Sequence, residues 1–151
     1  IQIAQTKQVE ICFVQTHTQL ELVGGGTLKI YPPLGQEEDI NELGLSVLAS
    51  AGDFDTLVTG DMGSEVEQLL LQHTVLPDIE RLVVGHHGSH YSTSEELLEA
   101  TRPEQAIISV GRNSYGHPTQ EVLDRLEQAG AEVYRTDLQG TVTVYASADA
   151  A

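Results

Sequence analysis

Two short apolar runs in this chain stop in the same way, and that shared ending constrains the fold more than any other feature. Thr56-Leu57-Val58-Thr59 runs into Gly60-Asp61-Met62, and Leu82-Val83-Val84 runs into Gly85-His86-His87-Gly88-Ser89. Each has the length and β-branched content of a buried strand, followed by a glycine and then a ligand-type side chain. Polar groups set just past the ends of apolar strands are how α/β folds build metal and phosphate sites. Imidazole with carboxylate is the donor set of hydrolytic zinc and manganese centres. Of the six histidines, four lie at 86, 87, 90 and 117, which leaves only His17 and His73 elsewhere. A Gly-Asp pair alone reads as a turn, and a single strand-end histidine as a cap or a solvated residue. It is the two together, each closing its own apolar run, that point to a site.

Beyond residue 60 the pattern alternates strand with helix. Ser64–Gln72 reads as a helix with Glu65 and Glu67 in its first turn, and Ile79–Val84 as a strand. Ser92–Thr101 reads as a helix capped by Ser92 or Thr93, and Gln105–Val110 as a buried strand. Pro118–Ala129 reads as a helix with His117 at its cap, Pro118 at its first position and Gly130 closing it. Glu132–Arg135 and Thr141–Tyr145 read as the last strands.

Before residue 60, Val9, Ile11 and Phe13, then Leu20 and Leu22, then Leu28 and Ile30 alternate with polar residues, and Gly24-Gly25-Gly26 separates the last two runs. That is the pattern of an antiparallel meander. Pro32–Asp39 reads as a loop, and Leu43–Ser50 with Phe54–Thr59 as a hairpin turning at Ala51-Gly52-Asp53. At 151 residues and 40% hydrophobic content, one core is expected. The expected domain is single: a meander and loop over 1–40, an α/β half over 41–145 and a small-residue tail over 146–151. The fold class is α/β, a mixed sheet with helices on one face.

Charge limits the partners. The net charge is −16, and only seven Lys and Arg residues are present. Phosphate-backbone binding calls for a basic surface, so this balance argues against the chain gripping DNA by itself. Cys12 is the only cysteine, which excludes an intrachain disulfide. No apolar run approaches the ~20 residues that span a bilayer, so no direct membrane contact by this chain is expected.

From about Asn41 to Val144 the ordered set of motifs resembles the C-terminal half of the metallo-β-lactamase-like domain of the ComEC family of competence DNA-uptake proteins. The pieces are Leu57-Val58-Thr59-Gly60-Asp61-Met62, Val84-Gly85-His86-His87-Gly88-Ser89, Ser92-Thr93-Ser94, Ala106-Ile107-Ile108-Ser109-Val110-Gly111-Arg112-Asn113, Tyr115-Gly116-His117-Pro118 and Tyr134-Arg135-Thr136-Asp137. The resemblance implies half of an αββα sandwich, whose open sheet face needs cover from the N-terminal meander or from another copy. It implies a hydrolase, a phosphodiesterase or DNA nuclease, acting on DNA in a parent integral to the bacterial cell membrane, with this domain on the extracytoplasmic side.

The resemblance also implies the site. Asp61 bridges two divalent ions, Zn or Mn, in the complete domain, and one of His86 and His87 is a further ligand while the other supports it. Adjacent residues past a strand point in opposite directions, and the lean is to His86. His117 is the catalytic candidate, contacting the scissile phosphate or protonating the leaving oxygen at a helix N-terminus. Ser89, Arg112, Asn113 and Tyr115 are substrate-binding candidates, and Arg135 with Asp137 reads as a structural ion pair.

One departure tempers this. The family's HxHxDH motif, which lies N-terminal to the Gly-Asp strand, occurs nowhere in the chain. With no methionine at Ile1, the expectation is an excised piece that lacks the N-terminal half, holds little or no metal alone and forms oligomers through its open face. The competing readings are a catalytically inactive binding or scaffold module, and a metallo-hydrolase of another phosphoester such as a phosphorylcholine esterase.

Overall fold

The computed structural model describes residues 1–34 and 40–145. Seven strands form one mixed sheet in sequence order. They are β1 (Thr18–Glu21), β2 (Thr27–Tyr31), β3 (Ser46–Ala51), β4 (Phe54–Val58), β5 (Arg81–Val83), β6 (Gln105–Ile108) and β7 (Glu132–Arg135). The β1–β2, β2–β3 and β3–β4 pairs are antiparallel, whereas β4–β5, β5–β6 and β6–β7 are parallel. Each parallel step crosses over through a helix: α2 (Ser64–His73), α3 (Glu95–Thr101) and α4 (Gln120–Gln128). Right-handed crossovers that always advance to the next strand place all three helices on the same face.

The register divides the sheet into two cross-strand rows. Leu48, Leu57, Leu82 and Ala106 lie side by side on four strands and are at most 1% exposed beneath the helices. They meet Val66 and Leu70 of α2, Leu97 and Leu98 of α3, and Val122 and Leu126 of α4 in one core. The i, i+4 spacing in α2 and α4 turns one apolar stripe to the sheet. One residue along, Ile30, Val47, Val58, Val83, Ile107 and Tyr134 form a second row on the opposite face, and all are only half-buried. That face has no second layer among the described residues.

Several expectations are corrected. Val9, Ile11 and Phe13 form no strand and are 58%, 38% and 73% exposed; a short helix, α1 (Gln2–Thr6), precedes them. Alternation alone does not make a strand where no neighbour accepts the ladder. The meander that does form, β1 and β2, extends the sheet at its edge, so it does not cover the open face. Thr141–Tyr145 forms no strand, and α5 (Thr136–Gln139) stands before it. The α3 helix is capped by Ser94, which accepts from the Leu97 amide, in place of Ser92 or Thr93. The α4 helix is capped from Thr119, so His117 and Pro118 lie in the loop before it. The end of the proline-led loop, residues 35–39, and the tail, 146–151, lie outside the described residues.

Candidate metal and phosphate site at the strand ends

The parallel strands β4, β5 and β6 all release their chains at the same end, and the singled-out residues gather there. Gly60, at φ +67°, turns the chain after β4 and presents Asp61 half-buried. Asp61 caps nothing: the α2 N-cap is Gly63, with no side-chain cap bond, and the Ser64 amide donates to the Tyr91 carbonyl. After β5, His86 and His87 both take left-handed backbone angles, at φ 48° and 55°. Left-handed conformations in side-chain-bearing residues are strained and gather at functional sites. The His86 amide donates to the Gly60 carbonyl at 2.9 Å, tying the two strand ends together. Gly85 fits closely there: a Cβ would stand 3.0 Å from Thr59 Oγ1, 3.3 Å from Ser92 Cβ and 3.4 Å from the Gly60 carbonyl oxygen, so a larger residue needs its neighbours to shift.

The two imidazoles part company. His86 lines a cavity of about 310 Å³ with Asp61, Glu42, Glu65 and Tyr91. His87 opens into a neighbouring cavity of about 360 Å³ shared with Arg112, Asn113, Tyr115 and His117. Its Nδ1 donates to the Ser109 carbonyl at 2.7 Å, which fixes the ring. His117 reaches the pair from the β6 loop, its ring 5.8 Å from that of His86. Its Nδ1 is buried without a hydrogen-bond partner. Burial, followed by the neighbouring His86, His87 and His90, pushes the His117 imidazole below its ordinary value, so it favours the neutral form.

The remaining candidates divide between ligand-facing and scaffolding positions. Arg112 and Tyr115 are exposed at the second cavity, with Tyr115 81% exposed and stacked on His117 at 6.0 Å. Asn113 is spent on its own loop: its Nδ2 donates to the Gly111 and His117 carbonyls, and its Oδ1 accepts from the Tyr115 and His117 amides. Ser89 is 2% exposed, and its hydroxyl accepts from the Tyr91 amide inside the turn. It faces neither cavity. Arg135 and Asp137 form a bidentate ion pair, with Nη2 to Oδ2 at 2.7 Å.

Two neighbours went unremarked in the sequence. Glu42, from a 3₁₀ turn over Ile40–Leu43, adds a carboxylate to the Asp61 cavity. Glu67 reads as a first-turn acid favouring the α2 dipole, yet it is 0% exposed and accepts from the Thr93 and Ser94 amides. No local pattern separates that buried carboxylate from solvent-facing Glu65.

The donor types match a zinc or manganese centre, but their number does not. Among the described residues no three His, Cys, Asp or Glu side chains come together to hold an ion. A protein zinc site takes at least three protein ligands. Among the described residues, then, Asp61 and His86 share a cavity but do not by themselves make a closed ion site.

No protein-family model matches the chain. Curated relatives that do match include ComE operon protein 3 of Bacillus subtilis, 41% identical over 68% of the chain; Recombination protein 2 of Haemophilus influenzae, 41% over 65%; and Competence protein ComA of Neisseria gonorrhoeae, 40% over 61%. The matched segments are only 13%, 12% and 14% of those proteins' lengths. A crystal structure of a Parabacteroides distasonis protein, assigned by name to the metal-dependent hydrolases, matches 89% of the chain and 61% of its own with a TM-score of 0.55. At 14% identity that likeness concerns the fold alone, a mixed sheet with helices on one face. With its Gly-Asp and Gly-His-His-Gly-Ser turns at the ends of adjacent strands, the chain is similar over about two thirds of its length to short segments of these much longer ComEC-family proteins.

Proposed function

We propose that this chain is the C-terminal half of a metal-dependent phosphodiesterase module that cleaves DNA within a ComEC-like uptake protein. The observation carrying the proposal is the meeting of Asp61, His86 and His117 at the common end of three adjacent parallel strands. Asp61 and His86 act as metal ligands, His87 steadies the turn from the Ser109 carbonyl, and His117 contacts the scissile phosphate or its leaving oxygen. Arg112 and Tyr115 line the second cavity as substrate contacts. The remaining ligands come from the N-terminal half of the domain, whose sheet packs on the open row from Ile30 to Tyr134. Divalent ions in the complete domain, zinc or manganese, supply water activation and charge neutralisation. The parent lies in the bacterial membrane with this module on the extracytoplasmic side. The chain itself has no helix, among the described residues, long and apolar enough to cross a membrane.

The test is DNA cleavage by the full-length protein with Mn²⁺ or Zn²⁺, beside panels of simple phosphodiesters and phosphorylcholine esters. Asp61→Ala should abolish cleavage and leave the fold standing. Preference for the choline esters would move the substrate, and retained cleavage in Asp61→Ala would remove the site. A second reading, an inactive binding or scaffold module, is favoured by the lack of a third ligand among the described residues and by the net charge of −16. It predicts no metal-dependent cleavage by the full-length protein under any of these conditions.

A further inference from the structure

The segment after the His86-His87 turn is gripped from both sides by two charged groups, a buried Glu67 and a half-buried Arg125, that belong to neither cavity's chemistry. From α2, Glu67 accepts the Thr93 amide at 2.6 Å and the Ser94 amide at 2.8 Å, one on each carboxylate oxygen. From α4, Arg125 Nη2 donates to the Ser92 carbonyl at 2.9 Å and the His90 carbonyl at 3.1 Å. Between them, the held residues grip the start of the turn. Thr93 Oγ1 accepts the Gly85 amide at 3.2 Å, and Ser92 Oγ donates to the Gly85 carbonyl at 2.8 Å and the Ser89 carbonyl at 3.0 Å. Gly85 is thus fixed at both its polar atoms, one bond before His86.

Strain makes this grip necessary. Thr93, a β-branched residue, sits at φ 57°, beside the positive angles of His86 and His87. Such conformations persist only where the surroundings over-determine them. The Glu67 carboxylate supplies such determination, because both its oxygens are acceptors and each takes a backbone N–H.

We propose that Glu67 and Arg125 are positioning residues that set the His86-His87 turn through residues 89–94, without touching a bound group themselves. The consequence for cleavage rests on the function proposed above; the hold on the turn does not. Glu67→Gln is the sharpest probe, since an amide nitrogen can accept from neither backbone N–H and turns one of the two contacts repulsive.

The experiment uses the full-length protein, with Leu70→Ala as a control that loosens the same helix from its buried side. Amide exchange over 85–94 is followed by mass spectrometry below the melting range. Glu67→Gln and Arg125→Met should each speed exchange there by about tenfold or more relative to the rest of the domain. Leu70→Ala should speed it evenly across the domain. DNA cleavage is measured on the same variants, and Glu67→Gln should lower kcat with KM held within about twofold, the pattern of a misplaced reacting group. Evenly distributed exchange in Glu67→Gln and Arg125→Met overturns the proposal. So does unchanged kcat in variants whose turn has demonstrably loosened. Absence of cleavage in the unmodified protein instead counts against the proposed function, and the exchange arm still decides whether the bracket holds the turn.

Discussion

Alanine at Gly88 should cost far more than its small size implies, and the structure resolves the cost into two parts. Gly88 sits at φ +84°, and a Cβ there would stand 2.6 Å from Pro118 Cβ and 3.0 Å from Pro118 Cα. The left-handed backbone alone costs a side-chain-bearing residue about 1–2 kcal/mol. Overpacking against a neighbour that cannot step aside adds about 1–3 kcal/mol, because Pro118 is backed by its own main chain and Thr119 donates to the Gly88 carbonyl at 2.9 Å. The expected loss is therefore about 2–5 kcal/mol. Two other glycines separate the parts. Gly116 has nearly the same angle, φ +80°, with nothing within 4 Å of its would-be Cβ, so its alanine variant should lose only the backbone part, about 1–2 kcal/mol. Gly111 has no positive angle and the same open space, and its alanine variant should be neutral or gain about 0.4–1 kcal/mol by restricting the unfolded chain. Urea unfolding of the three variants, with equal slopes, measures each term. If Gly88→Ala loses no more than Gly116→Ala, the contact between the His86-His87 turn and the His117 loop is not close, and the convergence of the site goes with it.

Other outcomes follow from the same geometry. Burial holds the Glu67 carboxyl above its ordinary value, against the pull of the Ser94 and Thr93 amides and Arg125. Its contribution is therefore full below the ordinary carboxylate value and is lost as pH rises through the raised one. The stability advantage of the parent over Glu67→Gln should then shrink as pH rises above the ordinary carboxylate range, and an advantage that grows with rising pH would contradict the burial argument. Titrating the chain itself with Zn²⁺ or Mn²⁺ should show only weak binding, because two donors do not close a site; tightly held stoichiometric zinc would prove the ligand count wrong. In the full-length protein, His117→Ala should slow cleavage without changing metal content, whereas stoichiometric metal loss would make His117 a ligand.

What was legible in the sequence follows from which forces are local. The hairpin Phe54–Thr59, the α2 helix and the strands before Asp61 and His86 were readable because one register of apolar residues meets one row of core, as Leu57 and Leu82 do. The strand wrongly expected at Val9–Phe13 has the same alternation, but its partner would have to come from elsewhere in the chain, and alternation carries no record of whether that partner exists. The α4 start moved from Pro118 to Gln120 for a tertiary reason. His117 and Pro118 are held in the loop by contacts to Asn113 and to Gly88, which are 4 and 30 residues away from His117 and Pro118 respectively.

The site shows the same division and explains why part of it could not be read. Asp61, His86 and His117 announce themselves by residue type, and parallel crossovers of one hand bring their strand ends to the same edge without further information. Which of the paired imidazoles faces Asp61 is decided by two left-handed residues in succession, a choice imposed by the grip on Gly85 and by the Gly60 carbonyl. Those partners, Ser92 with Thr93 and Gly60, lie in two other loops of the chain, so no spacing encodes them. Glu67 is the clearest instance: as a letter it is one of 23 acids in a strongly acidic chain, and only packing turns it from a solvated charge into a buried acceptor. The residues proposed to carry chemistry were thus visible from their type and their place after a strand, while the residues that hold them still became visible only once the helices had been laid on the sheet.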